Sequence, residues 1–306
     1  MRFDYLEPGI KELVTTFVNA KSSSTTKPSI EERRKSYINS KVLAGISESV
    51  HEVINKQFDH FSLTIFKPSN QSNLPIVIYY HGGCFISGSA ETHDQQLRKL
   101  ANLANALVVA VNYRLAPEHT YPAAHNDAYN AAQLIYEQGH LWGGNTEDIT
   151  LVGDSAGGQI ALITSLRLRD QANWMPTRQV LIYPMLDATA SSNSYIQNGE
   201  DYIITKDTLI SGFTMYLGDT HISLKHPEIS PLFRDDFSGL QETHIISAEF
   251  DPLLNECEQL YHKLLKAKVP VYCQRYLGVI HGFFQLSGIS GAAKQALKQV
   301  ASIIKG

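Results

Sequence analysis

Residues 153–158 read Gly-Asp-Ser-Ala-Gly-Gly and directly follow an apolar run at 149–152. This spacing is the G-x-S-x-G pattern of a nucleophile elbow, in which a strand ends, the chain turns sharply and a helix begins with the serine at the apex. Glycines flank the serine because so tight a turn leaves no room for Cβ atoms beside it. The N-terminus of the following helix favours negative charge and can help to stabilise an oxyanion. The pattern therefore predicts Ser155 as the nucleophile of an acyl-transfer reaction.

A serine nucleophile on this kind of fold needs an acidic residue and then a histidine, both further along the chain. His281 lies in a glycine-flanked loop after a predicted strand at 271–276, and loops at strand ends commonly carry catalytic side chains. Seven of the twelve histidines precede Ser155, and the required order disfavours them as the base. The others that follow Ser155 lack both the strand and the glycine loop: His221, His226, His244 and His262. We therefore expect His281 to be the general base.

Two carboxylates compete for the role of the acid. Glu249 and Asp251 both lie just after an apolar run at 245–248, and Pro252 ends the predicted strand. In a strand, side chains two residues apart point to the same side, so the alternation does not separate the two candidates. Asp251 stands at the turn itself and is the preferred acid, whereas Glu249 is expected to support the site from behind it.

A second glycine segment lies upstream of the elbow. Residues 81–83, His-Gly-Gly, follow the apolar run at 74–80, and a glycine pair after a strand allows backbone N–H groups to point at one spot. A tetrahedral intermediate requires such donors for its oxygen anion. An ordinary turn would contain the same residues, but the position upstream of the serine favours an oxyanion loop.

Together these motifs resemble those of the hormone-sensitive-lipase-like esterases, the bacterial family IV carboxylesterases of the α/β-hydrolase superfamily. The resemblance also rests on Tyr-Arg-Leu-Ala-Pro-Glu-His at 113–119, Asp-Pro-Leu at 251–253 and His-Gly-Phe at 281–283. It extends from about residue 30 to the end of the sequence, and the combination is much more specific than any single motif. The resemblance implies Ser155 as nucleophile, Asp251 as acid and His281 as base.

The same resemblance implies that the backbone N–H groups of Gly82, Gly83 and Ala156 form the oxyanion hole. Cys84 departs from the family, which usually has glycine there, and its side chain is expected to narrow the acyl pocket or to shift the loop slightly. Three further family-like residues are expected to hold the loop after a core strand by ion pairs and hydrogen bonds: Arg114, Glu118 and Asp127.

The expected reaction is hydrolysis of small, uncharged, short-chain acyl esters through an acyl-enzyme, without a cofactor or a metal ion. Two alternatives stay open. Arylformamidase-like amide hydrolases have a similar His-Gly-Gly loop and elbow, although the segment at 113–119 favours the esterases. The other alternative is a non-catalytic small-ligand-binding protein on the same fold, as in the gibberellin receptors of plants. Those receptors have lost the catalytic histidine, whereas His281 is present here.

The composition limits the class of protein. The chain has 306 residues, 43% hydrophobic residues and a formal net charge of −4, which allow a sizeable core and disfavour nucleic acid or an anionic membrane as a partner. Three cysteines without paired spacing are typical of a reducing compartment. No run approaches the roughly 18 apolar residues of a membrane span, and the first residues do not resemble a signal peptide. We expect a cytoplasmic enzyme, and the resemblance adds a homodimer joined through edge strands as an option.

Apolar runs that alternate with helical patterns predict an α/β protein. We expect an α/β-hydrolase fold with a mostly parallel eight-stranded sheet, helices on both faces and a helical cap. Strands are expected near 51–58, 61–66, 75–80, 107–112, 149–153, 179–183, 244–248 and 271–276. The first two are too close together for a crossover helix and should be antiparallel. The catalytic domain is assigned to 46–187 and 231–306, and the cap to 1–45 and 188–230.

The cap assignment rests on helical patterns outside the sheet. An amphipathic helix is predicted at 10–18 and a polar linker at 21–28, and a capping box at Ser29 and Glu32 predicts a second helix through about Ala44. About sixty residues separate the sixth and seventh strands, which is too many for a simple crossover. Within them an apolar helical stripe ends at Gly218 and consists of Leu209, Phe213, Tyr216 and Leu217.

Overall fold

The centre of the computed structural model, which describes residues 2–21 and 28–306, is one eight-stranded sheet. Its strands are β1 (Glu52–Gln57), β2 (Ser62–Lys67), β3 (Leu74–Tyr80), β4 (Leu107–Asn112), β5 (Gly144–Asp154), β6 (Arg178–Ile182), β7 (Glu242–Phe250) and β8 (Val271–Ile280). Their spatial order is β1-β2-β4-β3-β5-β6-β7-β8. The pairs β1–β2 and β2–β4 are antiparallel, and all other neighbours are parallel. The predicted mostly parallel sheet is confirmed.

Helices cover both faces of the sheet, as predicted. They are α1 (Pro8–Lys21), α2 (Ile30–Ser40), α3 (Asp94–Ala104), α4 (Ala123–Gln138), α5 (Ala156–Gln171), α6 (Asn193–Asn198), α7 (Lys206–Leu217), α8 (Leu254–Lys266) and α9 (Gly291–Lys305). Alternate residues of β3 enter different cores: Ile76 and Ile78 belong to the core that also holds residues of α4, α5 and α8, whereas Val77 and Tyr79 belong to the core that holds residues of α1, α3 and α9. Within the described ranges, no helix is long and apolar enough to cross a membrane.

Two strands are longer than predicted. β5 begins at Gly144 rather than near 149, because its first residues are mostly polar and hide the strand pattern. A Cβ atom at Gly144 would lie 2.5 Å from Cγ1 of Ile76, so only glycine fits beside β3 there. β8 continues past 276 to Ile280 through Gly278, which has a φ of +70° that favours glycine. The extension of β8 brings the chain directly to His281.

The N-terminal helices differ slightly from the prediction. The capping box at Ser29 and Glu32 is confirmed, but α2 ends at Ser40 and a 3₁₀ turn, Lys41–Ala44, takes the place of its last predicted turn. The predicted linker at 21–28 falls mostly on residues 22–27, which lie outside the described residues. Between β6 and β7, the predicted apolar stripe is confirmed as the buried face of α7.

The three family-like residues beside the core form the contacts expected of them. The carboxylate of Asp127 is fully buried and accepts hydrogen bonds from the backbone N, Nε and Nη2 of Arg114 at 3.0, 2.8 and 2.7 Å. Glu118 accepts two hydrogen bonds from the guanidinium of Arg34 on α2, at 2.8 and 2.7 Å. The first pair ties the chain after β4 to α4, and the second ties α2 to that chain segment.

We expect Asp127→Ala to lower the free energy of unfolding by about 2–4 kcal/mol, because it leaves the Arg114 guanidinium and a backbone N–H without their buried acceptor. Urea denaturation followed by circular dichroism measures this. As a control, Glu91→Gln removes an exposed ion pair with Lys41 and should change the stability by no more than about 0.5 kcal/mol. Equal effects of the two substitutions would contradict the structural role of Asp127.

Candidate active site

The nucleophile elbow lies where β5 meets α5. β5 ends at Asp154, α5 begins at Ala156, and Ser155 between them has φ 55° and ψ −120°. A serine in this region of φ is strained and persists only where its surroundings hold it. Glycine is required two residues after it, because a Cβ atom at Gly157 would overlap the carbonyl oxygen of Tyr80. The local sequence therefore folds as predicted, with Ser155 at the apex.

Three side chains from the carboxyl ends of β5, β7 and β8 meet at this apex. The Nε2 atom of His281 lies 2.9 Å from Oγ of Ser155, and its Nδ1 atom lies 2.8 Å from Oδ2 of Asp251. The other oxygen of Asp251 accepts the backbone N–H of Leu253 at 2.7 Å, which fixes the carboxylate plane. Asp251 is fully buried, and Ser155 and His281 are 5% and 6% exposed. The arrangement can pass a proton from the serine to the imidazole.

The structure separates the two acid candidates. Asp251 contacts the imidazole of His281, whereas Glu249 accepts the backbone N–H of Gly278 at 2.8 Å. Glu249 therefore holds the bend of β8 that precedes the histidine loop. The alternation of side chains along a strand does not decide between them, because β7 ends at Phe250 and Asp251 lies beyond it.

The oxyanion loop differs from expectation at Gly82. Its N–H donates to Oδ1 of Asp154 at 2.9 Å, so this donor is already engaged inside the protein. Among the hydrogen bonds of the described residues, the N–H groups of Gly83, Cys84 and Ala156 have no partner. The expected role of Gly82 as an oxyanion donor is therefore corrected. Gly82 anchors the loop, and Cys84 joins Gly83 and Ala156 as a candidate donor.

Asp154 is the buried anion behind the oxyanion loop. Its carboxylate accepts hydrogen bonds from the Tyr79 hydroxyl at 2.9 Å, Gly82 N–H at 2.9 Å and the Gln285 amide at 3.2 Å, and Nε2 of His93 lies 3.1 Å away. Burial by itself would raise the pKa of Asp154. The positive charge that His93 can carry and the hydrogen bonds from His93 and Tyr79 outweigh burial, so the pKa lies below its usual value. Asp154 therefore stays ionised at neutral pH.

Several residues around the site are not indicated by any pattern in the sequence. The ring of Tyr183 packs against the imidazole of His281, with centroids 4.6 Å and planes 55° apart, and so restricts its orientation. The order of the motifs disfavours His93 as the general base, because it precedes Ser155. That order does not exclude His93 as a partner of Asp154. The position of Asp154 within the elbow motif was the available signal, because a charged residue at the end of a buried strand needs partners. No sequence pattern pointed to Tyr183 or Gln285.

Two buried histidines near the loop and cap stay neutral. Burial lowers the pKa of His81 to about 3 and that of His125 to about 4. The ring of His81 stacks on Tyr113 at 4.2 Å between centroids. His125 contacts the Tyr216 hydroxyl at 2.6 Å and the Gln159 side chain at 3.2 Å. Protonation of either ring inside the fold is unfavourable, so both are sensitive to acid.

The family model for the alpha/beta hydrolase fold matches residues 77–285, which is more than half of the chain. The chain belongs to the α/β-hydrolase superfamily. The solved esterase of the archaeon Pyrobaculum calidifontis is 34% identical, with a TM-score of 0.90 over 98% of both chains. The arylesterase of Saccharolobus solfataricus is 28% identical over 98% of each protein. The carboxylic ester hydrolase LipN of Mycobacterium tuberculosis is 34% identical over 78% of this chain and 65% of LipN.

These similarities confirm the resemblance to the hormone-sensitive-lipase-like esterases. In this α/β hydrolase, the candidate site lies at the carboxyl ends of the parallel strands, where open α/β sheets bind their ligands. The matched region includes the elbow, the oxyanion loop, Asp251 and His281.

We expect Asp154→Ala to lower kcat for p-nitrophenyl acetate about 100-fold with little change in KM, because the oxyanion loop loses the anchor at Gly82. Asp154→Asn keeps one acceptor oxygen and should retain more activity. Steady-state kinetics measure both effects, and exposed Asp59→Asn is the control. Equal activity of Asp154→Ala and the wild type would refute the anchoring role.

The neutral histidines predict a loss of stability in mild acid. Between pH 6.5 and about 4, the unfolded chain binds protons at His81 and His125 that the folded chain does not. Stability therefore falls as the pH falls, by at most about 1.4 kcal/mol per pH unit for each histidine. Thermal melts from pH 7 to 5 measure the slope, and His125→Gln should make it shallower. A slope unchanged by that substitution would contradict the assignment for His125.

Proposed function

We propose that this protein is a serine carboxylesterase that hydrolyses small, short-chain acyl esters through an acyl-enzyme. The observation that carries the proposal is the continuous contact from Asp251 through His281 to Ser155, with distances of 2.8 and 2.9 Å. Nucleophile, base and acid are thus within hydrogen-bond distance and in the roles that acyl transfer requires. The esterase relatives support the same reaction class.

The two half-reactions use the same groups. Oγ of Ser155 attacks the ester carbonyl carbon while Nε2 of His281 takes its proton, and the carbonyl π electrons move to the oxygen. The oxyanion then collapses, the bond to the alcohol breaks, and His281 returns the proton to the leaving alkoxide oxygen. Water repeats the sequence on the acyl-enzyme and releases the acid. Asp251 orients the imidazole and stabilises its charged form.

The proposed oxyanion donors are the backbone N–H groups of Gly83, Cys84 and Ala156. Their freedom from internal partners and the flanking elbow support this assignment. Ala156 is the first residue of α5, where helix N–H groups have no internal acceptor and the helix dipole favours negative charge. Each such donor contributes about 3 kcal/mol of transition-state stabilisation in comparable hydrolases.

We further propose that residues 1–45 and 188–230 form a helical cap over a catalytic domain of residues 46–187 and 231–306. The guanidinium of Arg33 on α2 donates to Oγ of Ser211 on α7 at 2.8 Å, which joins the two parts. The low exposure of Ser155 and His281 agrees with a covered site. A covered site limits the size of the acyl group, which supports a preference for short chains.

Two further proposals concern the cellular location and the oligomeric state of the enzyme. Three unpaired cysteines support a reducing cytoplasmic location. β8 forms an edge of the sheet with exposed side chains at Tyr272 and Leu277, which supports pairing of two copies as a homodimer. Size-exclusion chromatography with light scattering distinguishes a monomer from this dimer. The proposed partner of the active site is a small ester, not nucleic acid.

We expect turnover of p-nitrophenyl esters from acetate to laurate to peak at short chains. Ser155→Ala and His281→Ala should each lower kcat by roughly 10⁵-fold, because triad residues act as a unit. Initial rates at 405 nm measure this, and thermal melts show whether each variant remains folded. Retained activity in a folded variant would refute the assigned role of the substituted residue.

Paired ester and amide substrates with the same acyl group separate the esterase from an amide hydrolase. Serine-dependent cleavage of the amide at a rate equal to that of the ester would favour the amide hydrolase. A protein that melts cooperatively but cleaves neither substrate would favour the ligand-binding alternative.

A further inference from the structure

We propose that Gly212 of the cap helix α7 is a positioning residue for the oxyanion loop. Its missing side chain allows α7 to rest directly on Cys84 and so to hold the loop in its catalytic conformation. The inference rests on the proposed esterase function and adds a residue that does not touch the substrate. In this arrangement the cap helix both covers the oxyanion hole and holds the loop that supplies its donors.

The contact between α7 and the loop leaves no space for a methyl group. A Cβ atom at Gly212 would lie 2.5 Å from Cβ of Cys84, 2.9 Å from its carbonyl oxygen and 3.4 Å from its Cα. Two of these neighbours are backbone atoms and the third, Cβ, is bonded to one of them at fixed geometry, so a side-chain rotation cannot relieve the overlap. Either α7 or the oxyanion loop must therefore move when a Cβ is added.

The loop beneath α7 is strained and depends on outside support. Cys84 and Phe85 have φ values of 56° and 65°, in the left-handed region that glycine favours. Consecutive non-glycine residues persist there only where the surrounding structure holds them.

α7 supplies the support through an aromatic contact one turn further along the helix. The ring of Phe85 stacks on Tyr216, with centroids 4.2 Å apart and planes 9° apart. Tyr216 is itself fixed, because its carbonyl accepts Tyr121 N–H at 2.8 Å and its hydroxyl contacts Nδ1 of His125 at 2.6 Å. Gly212 and Tyr216 thus press on neighbouring residues of the loop, and the contacts of Tyr216 oppose a movement of α7 away from it.

The consequence for catalysis follows from the backbone of Cys84. Its N–H is a candidate oxyanion donor, and the direction of that N–H changes when the loop residue shifts to admit a Cβ. The oxyanion forms only as the carbonyl is attacked, so a misdirected donor affects turnover more than ground-state binding. A residue that only shaped the acyl pocket would instead change KM and the preferred chain length.

The test uses Gly212→Ala, Cys84→Gly and the double variant, with p-nitrophenyl butyrate as substrate. We expect Gly212→Ala to lower kcat tenfold or more and to leave KM within about twofold. Removing the opposing Cβ relieves the closest overlap, at 2.5 Å, and leaves the one with the carbonyl oxygen at 2.9 Å. Gly212→Ala should therefore lower kcat several-fold less in the Cys84→Gly background than in the wild type. This rescue links the loss to the Cys84 contact specifically.

An alkyl trifluoromethyl ketone provides a second readout. Oγ of Ser155 adds to its carbonyl carbon, the π electrons move to the oxygen, and the serine proton passes to His281, which leaves an oxyanion in the hole. Its inhibition constant should rise in Gly212→Ala by the same factor as kcat falls, and the rise should be smaller when Gly212→Ala is made in the Cys84→Gly background. A purely structural defect would not produce this parallel change.

Thr214→Ala is the matched control, because Thr214 is exposed on the same helix. It should leave kcat within about twofold. Gly212→Ala itself raises helix propensity, so a general weakening of α7 does not explain a loss of activity.

Unchanged kcat in Gly212→Ala, a change confined to KM, or a loss that Cys84→Gly does not relieve would each overturn the inference. If Gly212→Ala does not fold, the double variant decides, since it must fold and its kcat must lie less than tenfold below that of Cys84→Gly. Wild-type turnover is measured first: its absence refutes the esterase proposal, whereas an active wild type with an equally active Gly212→Ala refutes only the role of Gly212.

Discussion

The buried carboxylate of Asp154 lies between the nucleophile elbow and the oxyanion loop, and four groups from separate parts of the chain converge on it. These groups belong to Tyr79, Gly82, His93 and Gln285. An ionised carboxylate away from water is unfavourable unless its hydrogen bonds are made, so each of these segments is held in place by the charge it stabilises. The end of β3, the oxyanion loop, the start of α3 and the turn after His281 are thereby fixed relative to Ser155.

The cap is connected to this centre by polar contacts as well as by apolar packing. Arg34 on α2 donates to the carbonyl oxygen of Ile86, beside the oxyanion loop, at 2.8 Å, and to that of Ala116 at 3.0 Å. The Gln285 amide, which contacts Asp154, also donates to the Tyr37 hydroxyl of α2 at 2.6 Å. Because the same helix contacts both the loop and the Asp154 cluster, the cap and the catalytic groups form one connected network. The low exposure of the nucleophile is a consequence of that connection.

Much of the fold and site was predictable because the deciding interactions are local. The G-x-S-x-G turn requires glycines for steric reasons within a few residues, and the positions of most strands follow from apolar runs. The direction of the Gly82 N–H was not predictable, because its acceptor is 72 residues away in the sequence. Asp251 was preferred over Glu249 for its place at the turn and by the resemblance, but its contact with the imidazole depends on where β8 places His281. The start of β5 was missed because polar residues begin a strand that packs only along its later half.

The sequence by itself determined the chemistry that is available: a serine in a strained elbow, a histidine and an acid in the required order, and a glycine-rich loop upstream. Short-range sterics and the alternation of apolar residues are sufficient for those conclusions. Only the tertiary structure decided which N–H groups remain free, which carboxylate meets the imidazole and how closely α7 approaches Cys84. These features depend on distances between segments far apart in the chain, and such distances are set by the packing of the whole domain around its buried charge.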